Sequence, residues 1–412
     1  MGAATTARPL HGRHPPSGRI MIRGLRALAL IMAVVLALTG CAGGLPEPVR
    51  DPHPAEEPLP AVDTRALRLP TPFTGLRVVD PGWTSAPQYA DGIFVGVAEQ
   101  EALWRFSAVD VHGQVRWVAE RPAEDTGFAL TADADGRSLA VLTDAHQGSG
   151  TEPDTVTATA YVLATGEHVW GPVEVPGPQV GPGLVFARPS EDPAARVRSR
   201  TVLDSTTGRA VPSISDSSDR VVGEYHGTVL VSGDHTLTAL DIADDQELWS
   251  IPLAEHGEVI AAVDSSGTAA AANGLVLLET EHSRGLLIDL RNGAILSDTA
   301  RDAAADPGTG AVVILDEAGL HATRDGQQLW SFTVASDTRL AALGGALVYL
   351  RDDEAVRVHN VITGEVADAY DPTGTGTILV PAHLTAEGAA LFVGKGSRHL
   401  IVTLVPEPGA SG

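Results

Sequence analysis

A strand–turn–strand pattern returns seven times along the middle of the chain. Its clearest copy is Ala108–Trp117, in which alternating apolar residues lead to Asp110, Gly113 makes the turn, and a Trp closes the next strand. Related copies are Tyr161–Trp170, Val202–Val211, Ala239–Trp249, Leu287–Leu296, His321–Trp330 and Val358–Val366. With turn residues 113, 166, 208, 245, 293, 326 and 364 as markers, the intervals are 53, 42, 37, 48, 33 and 38 residues. A spacing near 40 with several short strands per unit predicts propeller blades. Helical solenoids of similar period are excluded by the period-two alternation and the abundance of Gly, Val and Thr.

The units fall at about 85–120, 126–175, 178–214, 219–253, 257–299, 303–334 and 337–371. The second carries a polar insertion, His146–Thr157, and the third another, Pro189–Arg200. After them, Thr377–Val405 holds only three strands. Thr74–Val79 is a turn and strand far upstream that can supply the fourth, closing the ring and hiding both sheet edges. The expected fold is all-β: a propeller of four-stranded antiparallel blades, eight in number, or seven if the degenerate third unit is an elaborate loop.

Ahead of the propeller, Met21 begins a complete signal peptide. Arg23 and Arg26 form its positive region, and Ala27–Leu38 its apolar run, too short to span a bilayer comfortably. Residues 1–20 are then either an extension or a misassigned start, so the true initiator is Met1 or Met21. The apolar run ends in Leu38-Thr39-Gly40-Cys41. This resembles a bacterial lipobox, a resemblance that implies cleavage before Cys41, lipid on its thiol, and a place on the outer face of the cell membrane. Cys41 is the only cysteine, so the fold is held by packing without an internal disulfide. Prolines at 46, 48, 52, 54, 58, 60, 70 and 72 predict an extended tether over 41–72, holding the disk off the membrane. The expected division is 1–40 extension and signal peptide, 41–72 tether, 73–407 propeller and 408–412 disordered tail.

Charge narrows the partners. Residues 1–40 contain five Arg and no acid, so the remainder has 52 acidic against 28 − 5 = 23 basic residues, a net charge of −29. Nucleic acid and anionic lipid headgroups are repelled by such a field. Lys395 is the single Lys against 27 Arg, a bias that resembles a high-GC actinobacterial proteome.

The order within Ser85–Glu120 is Ser-x-Pro, Asp91-Gly92, the apolar strand Ile93–Ala98, then Asp110-x-x-Gly113 and Trp117. It resembles the repeat of quinoprotein-like propellers, the PQQ-repeat family that includes BamB-like lipoproteins. Degenerate copies extend over most of 75–405, and the Trp persists at Trp117, Trp170, Trp249 and Trp330. At a fixed repeat position these Trp are expected to pack between blades, each indole N–H bonding a neighbouring blade, rather than to stack on a ligand. Resemblance to the quinoprotein dehydrogenases would imply a quinone, a calcium ion and, in many members, a disulfide of adjacent cysteines. The chain has no cysteine to spare and no convincing calcium set, so no cofactor is expected.

Sites of chemistry are few. Asp133-Ala134-Asp135-Gly136 lacks the acids an EF-hand loop needs, since Thr131 and Leu142 stand there, and reads as a hairpin turn. Asp352-Asp353-Glu354 reads as a solvated loop. There is no Gly-x-Ser-x-Gly elbow, Gly394-Lys395-Gly396 is not a phosphate loop, and no His pair has metal spacing. His168, His235, His256, His282, His321, His359, His383 and His399 read as loop or strand-surface residues. Arg196, Arg198 and Arg200 form a basic spot, either a solvated loop face or a dock for an acidic patch. No catalytic residue and no metal site is expected, and the chain reads as a non-enzyme. The expected function is a lipid-anchored binding or protein–protein scaffold at the cell envelope, with an unidentified envelope protein as partner. The alternatives are a small-molecule or glycan receptor using the funnel, and a degenerate quinoprotein enzyme.

Overall fold

The computed structural model describes residues 49–100, 103–123, 127–146, 155–188, 200–215, 219–233, 235–263, 274–282, 285–353 and 355–406. They form mainly antiparallel sheets, most of consecutive strands, with helical structure confined to a few short turns such as Pro212–Ser215. Seven sheets have three or more strands. Unit one contributes Gln88–Ala90, Ile93–Gln100, Leu103–Asp110 and Gln114–Pro122, and unit two Phe128–Ala132, Ser138–His146, Thr155–Val162 and His168–Val175. Units four, five and six are likewise four-stranded, over 220–252, 259–297 and 300–332, and unit seven has three strands over 339–360. The last sheet pairs Leu76–Val79 with His399–Pro406, then Ala390–Val393 and Pro381–Leu384. The blade count is therefore seven, the smaller of the two expected numbers. The third unit is a two-stranded ribbon, Val185–Ala187 with Arg200–Val202, widened by single bridges at Gln179–Phe186 and Leu203–Ala210.

The ribbon still occupies a blade's position. Apolar clusters fill each junction around the ring, and the ribbon is sandwiched like any blade. Leu184, Phe186 and Leu203 pack on unit two beside Trp170, while Val185 and Val202 pack on unit four beside Val221 and Val229. Consecutive residues of one strand thus serve opposite junctions, because successive side chains leave a strand on opposite faces. The same division is seen in unit two, where Leu139 and Val141 face the ribbon and Ala140 and Leu142 face unit one. Blades buried on both sides account for the near-continuous apolar runs of the inner strands.

Four junctions share one lock. The indole Nε1 of Trp117 donates to the Leu163 carbonyl at 2.8 Å, Trp170 to Ser205 at 2.7 Å, Trp249 to Leu290 at 2.7 Å and Trp330 to Val361 at 2.8 Å. Each acceptor lies three residues before a turn glycine of the next unit: Gly166, Gly208, Gly293 and Gly364. Those glycines have φ between +70° and +73°, and a Cβ on any of them would lie 2.4–3.0 Å from the Trp ring. Glycine is needed twice here, for left-handed backbone and for the close approach of the indole. Where the preceding unit has no Trp the constraint lapses: Gly326 faces open space, and position 245 is Asp. The residue before each Trp (Arg116, Val169, Leu248 and Leu329) is a β-bulge, which twists the outer strand. At the junction of the last sheet with unit one, a different donor is used: Arg77 Nη2 bonds the His112 carbonyl at 2.7 Å, beside Gly113.

The expectation of a free tether over 41–72 is corrected from Val49 onward. Val49–Pro72 lies along the outer rim as a strap. His53–Pro58 adds a fifth, antiparallel strand to unit one, with His53 opposite Val118 and Pro58 opposite Gln114. The chain then crosses the last sheet, where Val62 N bonds the Val78 carbonyl, and reaches unit seven, where Leu67–Arg68 runs parallel to Thr377–Ile378 and Thr71 N bonds the Ala369 carbonyl. Proline content cannot separate the two outcomes: an edge strand needs no N–H on its outer side, so Pro54 and Pro58 are tolerated there as well as in a linker. The remainder of the expected tether, 41–48, and the tail 408–412 lie outside the described residues.

The strap is pinned by a partly buried ionic cluster. Asp144 of unit two meets both Arg50 of the strap and Arg121 of unit one, the latter at 3.7 Å. Arg121 also donates to the Tyr161 hydroxyl, which donates in turn to Asp51 at 2.8 Å. Burial, and then the Asp51 carboxylate, push the Tyr161 hydroxyl up to about 12.

Candidate functional site

Two concavities stand out. The first is the central bore, a cavity of about 700 Å³ reached by inner strands from units one, two, four and five, the ribbon and the last sheet. Its main charged wall residue is Glu224, which ends the inner strand of unit four and is 1% exposed. Glu224 Oε1 accepts from Thr131 Oγ1 of unit two at 2.8 Å and from Gly227 N at 2.6 Å, and Oε2 accepts from Leu184 N of the ribbon at 3.0 Å. Burial raises its carboxyl above the ordinary range, while these donors and the adjacent His226 oppose that shift. The carboxylate therefore ties three neighbouring positions of the ring together. Three other polar wall groups are also engaged. Gln88 bridges unit one to unit two through the Phe128 carbonyl and Leu130 N, Gln179 bonds the Gly183 carbonyl, and His399 faces the Trp83 carbonyl.

The second concavity is a groove of about 470 Å³ on the outer rim between units four and five, lined by Ile251, Pro252, Ala254, Glu255, His256, Gly293 and Ile295. Ile295 is 41% exposed, and Leu248 on the bordering strand is 50% exposed.

The residues singled out in the sequence are distributed as follows. Leu38, Thr39, Gly40 and Cys41 lie outside the described residues, as do Arg196 and Arg198. Trp117, Trp170, Trp249 and Trp330 are spent in the junction locks and line neither concavity. Arg200 is corrected: it is half-buried, with Nη1 on the Val221 and Val222 carbonyls of unit four, and desolvation lowers its pKa. It stitches the ribbon to the next blade instead of facing solvent. Three histidines read as surface residues are buried as well: His359, His383 and His399. Burial pushes His383 down to about 4, with Glu387 partly opposing, and its ring packs against Tyr89 and Phe94. Asp133 sits in a hairpin turn, accepting from Asp135 N and Arg137 N and pairing with the Arg137 guanidinium at 2.9 Å. Asp352 is paired with Arg357, whose hydrogen bond holds its carboxyl below the ordinary range.

Sequence reading missed Glu224, Gln88 and Trp83. Glu224 had a signal, since an acid inside the apolar run Val221–Tyr225 is out of place unless it is bonded. Trp83 is almost fully buried, donates to Ser107 Oγ at 2.8 Å and lies where a Cβ on Gly96 would be 2.4 Å from its ring, but it stands outside the repeat position that drew attention to the others.

Junction locks, the sandwiched ribbon and the blade order define a β-propeller. Within it, residues 154–313 match the model of the family described as outer membrane protein assembly factor BamB. That match covers the outer half of unit two, the ribbon, all of units four and five, and the start of unit six. A search of curated proteins finds no match. Among solved structures, a chain of the mitotic checkpoint complex is 10% identical, with 85% of this chain and 99% of that one covered at a TM-score of 0.41. The C-terminal WD40 domain of Sif2 is 10% identical, with 86% and 99% covered at 0.40, and Raptor of Chaetomium thermophilum is 9% identical, with 86% and 28% covered at 0.36. Likeness at these scores adds nothing to the reading of the sheets themselves.

Proposed function

We propose that the protein is a lipid-anchored, extracytoplasmic propeller that works as a protein-binding scaffold at the cell envelope. The observation that carries this reading is the match of 154–313 to a family described by its part in outer membrane protein assembly. The bore supports it indirectly. A small-molecule receptor needs convergent polar groups free to orient a ligand, whereas Glu224 and Gln88 are already bonded between blades. On the rim, Leu248 and Ile295 present exposed apolar side chains. The role carried over is a scaffold as such, without a particular assembly reaction.

Lipidation of Cys41 through the lipobox Leu38-Thr39-Gly40 would hold the propeller close to the membrane. The strap is already docked at Val49, whose carbonyl accepts from Glu120 N at 2.8 Å. Eight residue steps separate the two positions, a reach of at most about 28 Å when fully extended. The strap therefore passes any pull on the anchor to units one and two.

Proximity labelling from the mature protein in its own membrane, beside a Cys41→Ser control, tests the reading. The expected result is a small, reproducible set of envelope proteins that is lost with the anchor. Failure to capture any reproducible set would remove the scaffold reading and move attention to glycan or quinone binding in the bore.

A further inference from the structure

The outermost strand of unit four, Gln246–Pro252, pairs with Thr236–Asp241 on one side and has no strand on the other among the described residues. On unit one the equivalent strand, Gln114–Pro122, has that side filled by His53–Pro58. One blade of this chain thus demonstrates what another leaves open: its rim strand accepts an extended, proline-bearing segment as a fifth strand.

Unit four is better furnished for such a guest than the open rim of unit six. Leu248, the bulged residue, is half-exposed on the edge, and three residues on, the same strand reaches the rim groove at Ile251, across from Ile295 of the next blade. The groove floor is firm, because a Cβ on Gly293 would meet both Trp249 and Ile251 within 3.2 Å. By contrast, the open strand of unit six, Gln327–Phe332, turns Trp330 and Phe332 onto each other, with ring centroids 5.0 Å apart. Charge gives the guest its sign. Asp244, Asp245, Glu247 and Glu255 border the edge and groove, and none forms an ion pair with a described residue.

We propose that the Gln246–Pro252 edge docks an extended basic segment of a partner protein, by β-pairing as a fifth strand with an apolar side chain seated between Leu248 and Ile295. The assignment rests on the scaffold reading and names where and how the scaffold binds. Lys or Arg side chains of the segment face Glu247 and Glu255. Register is selective as well. Leu248 is an extra residue in its strand, so the guest needs a matching irregularity, as His53–Pro58 has between Pro54 and Glu57 opposite the Arg116 bulge.

The test uses the mature chain with Cys41→Ser and three fluorescent ten-residue probes, valine alternating with lysine, serine or glutamate. Anisotropy reads affinity, and amide exchange locates the contact. The expected order is lysine over serine over glutamate, with slowed exchange over Gln246–Pro252 and an affinity that falls with salt. Glu247→Lys with Glu255→Lys, both on exposed positions, should weaken the lysine probe by about tenfold or more while leaving the melting temperature unchanged. Equal binding of the glutamate probe, protection at another edge, or no binding at all would overturn the assignment. The same double variant is then used for proximity labelling in the membrane. Loss of the captured set supports the edge. A retained set leaves the scaffold and discards the edge, whereas an empty set from the parent protein discards the scaffold itself.

Discussion

Asp144→Ala should do far more damage than its place on an outer blade suggests. Asp144 faces Arg121, whose side chain is 3% exposed, and Arg50, whose side chain is 38% exposed. Removing the carboxylate leaves the buried Arg121 guanidinium, among the described residues, with the Tyr161 hydroxyl and the Glu120 carbonyl as partners. Breaking one member of a buried pair costs about 3–5 kcal/mol, because the surviving charge is stranded in low dielectric. Arg50→Ala removes only the outer partner and leaves the Arg121–Asp144 pair in place. The lost contact is then a half-exposed one, with an expected cost of about 1 kcal/mol or less. Urea denaturation of the soluble chain measures both. Limited trypsin digestion supplies a second readout, since Arg50 and Arg68 lie half-buried within the docked strap and become accessible when it lifts. The expectation is a large stability loss with faster cleavage at both sites for Asp144→Ala, and faster cleavage at Arg68, the one of the two that remains, at nearly unchanged stability for Arg50→Ala. Equal, small losses for the two variants, with the strap still protected, would falsify the view that this cluster fastens the strap.

Two further outcomes test the junctions and the buried histidine. Gly208→Ala places a methyl where it would meet the Trp170 ring at 2.4 Å, in a left-handed backbone, so backbone strain of about 1–2 kcal/mol is joined by overpacking of about 1–3 kcal/mol. Gly326→Ala suffers the backbone term alone, because nothing lies within 4 Å; melting curves of equal depth for the two would remove the second role of the glycine. His383 has its pKa lowered by burial from 6.5 to about 4, so between those values the unfolded chain binds the extra proton. Its contribution is complete above about pH 6.5 and is lost as pH falls toward 4, about 3 kcal/mol in all at roughly 1.4 kcal/mol per unit. Urea midpoints at pH 7 and pH 5 should converge for His383→Leu, and an undiminished pH slope in that variant would place the titration elsewhere.

The repeat made the architecture legible before any coordinates. Alternation with a 40-residue return specifies units that cannot bury their own faces and must stack on copies of themselves, which is a local property of sequence. The four Trp belonged to that reading because repetition at one position signals a shared junction. The third unit was harder to place. Val185, Phe186, Val202 and Leu203 are a blade's worth of inward side chains on little more than two strands, and their sandwiching depends on side chains of units two and four, on either side in the chain.

The strap and the bore lay beyond such reading for a physical reason. Proline-rich sequence reports that the chain is extended and short of donors, and both a linker and an edge strand satisfy that description. Only the opposing rim, with Asp144 waiting for Arg50 and Tyr161 for Asp51, separates the two. Glu224 is likewise a solitary acid in a strand until Thr131, Leu184 and Gly227 converge on it from 93, 40 and 3 residues away. What the sequence determined by itself is periodic and local: strands, turns and junction tryptophans. Tertiary structure decided everything that depends on one surface meeting another, including which edge is covered, which acid is buried and which rim stays open, because those energies belong to pairs of residues far apart in the chain.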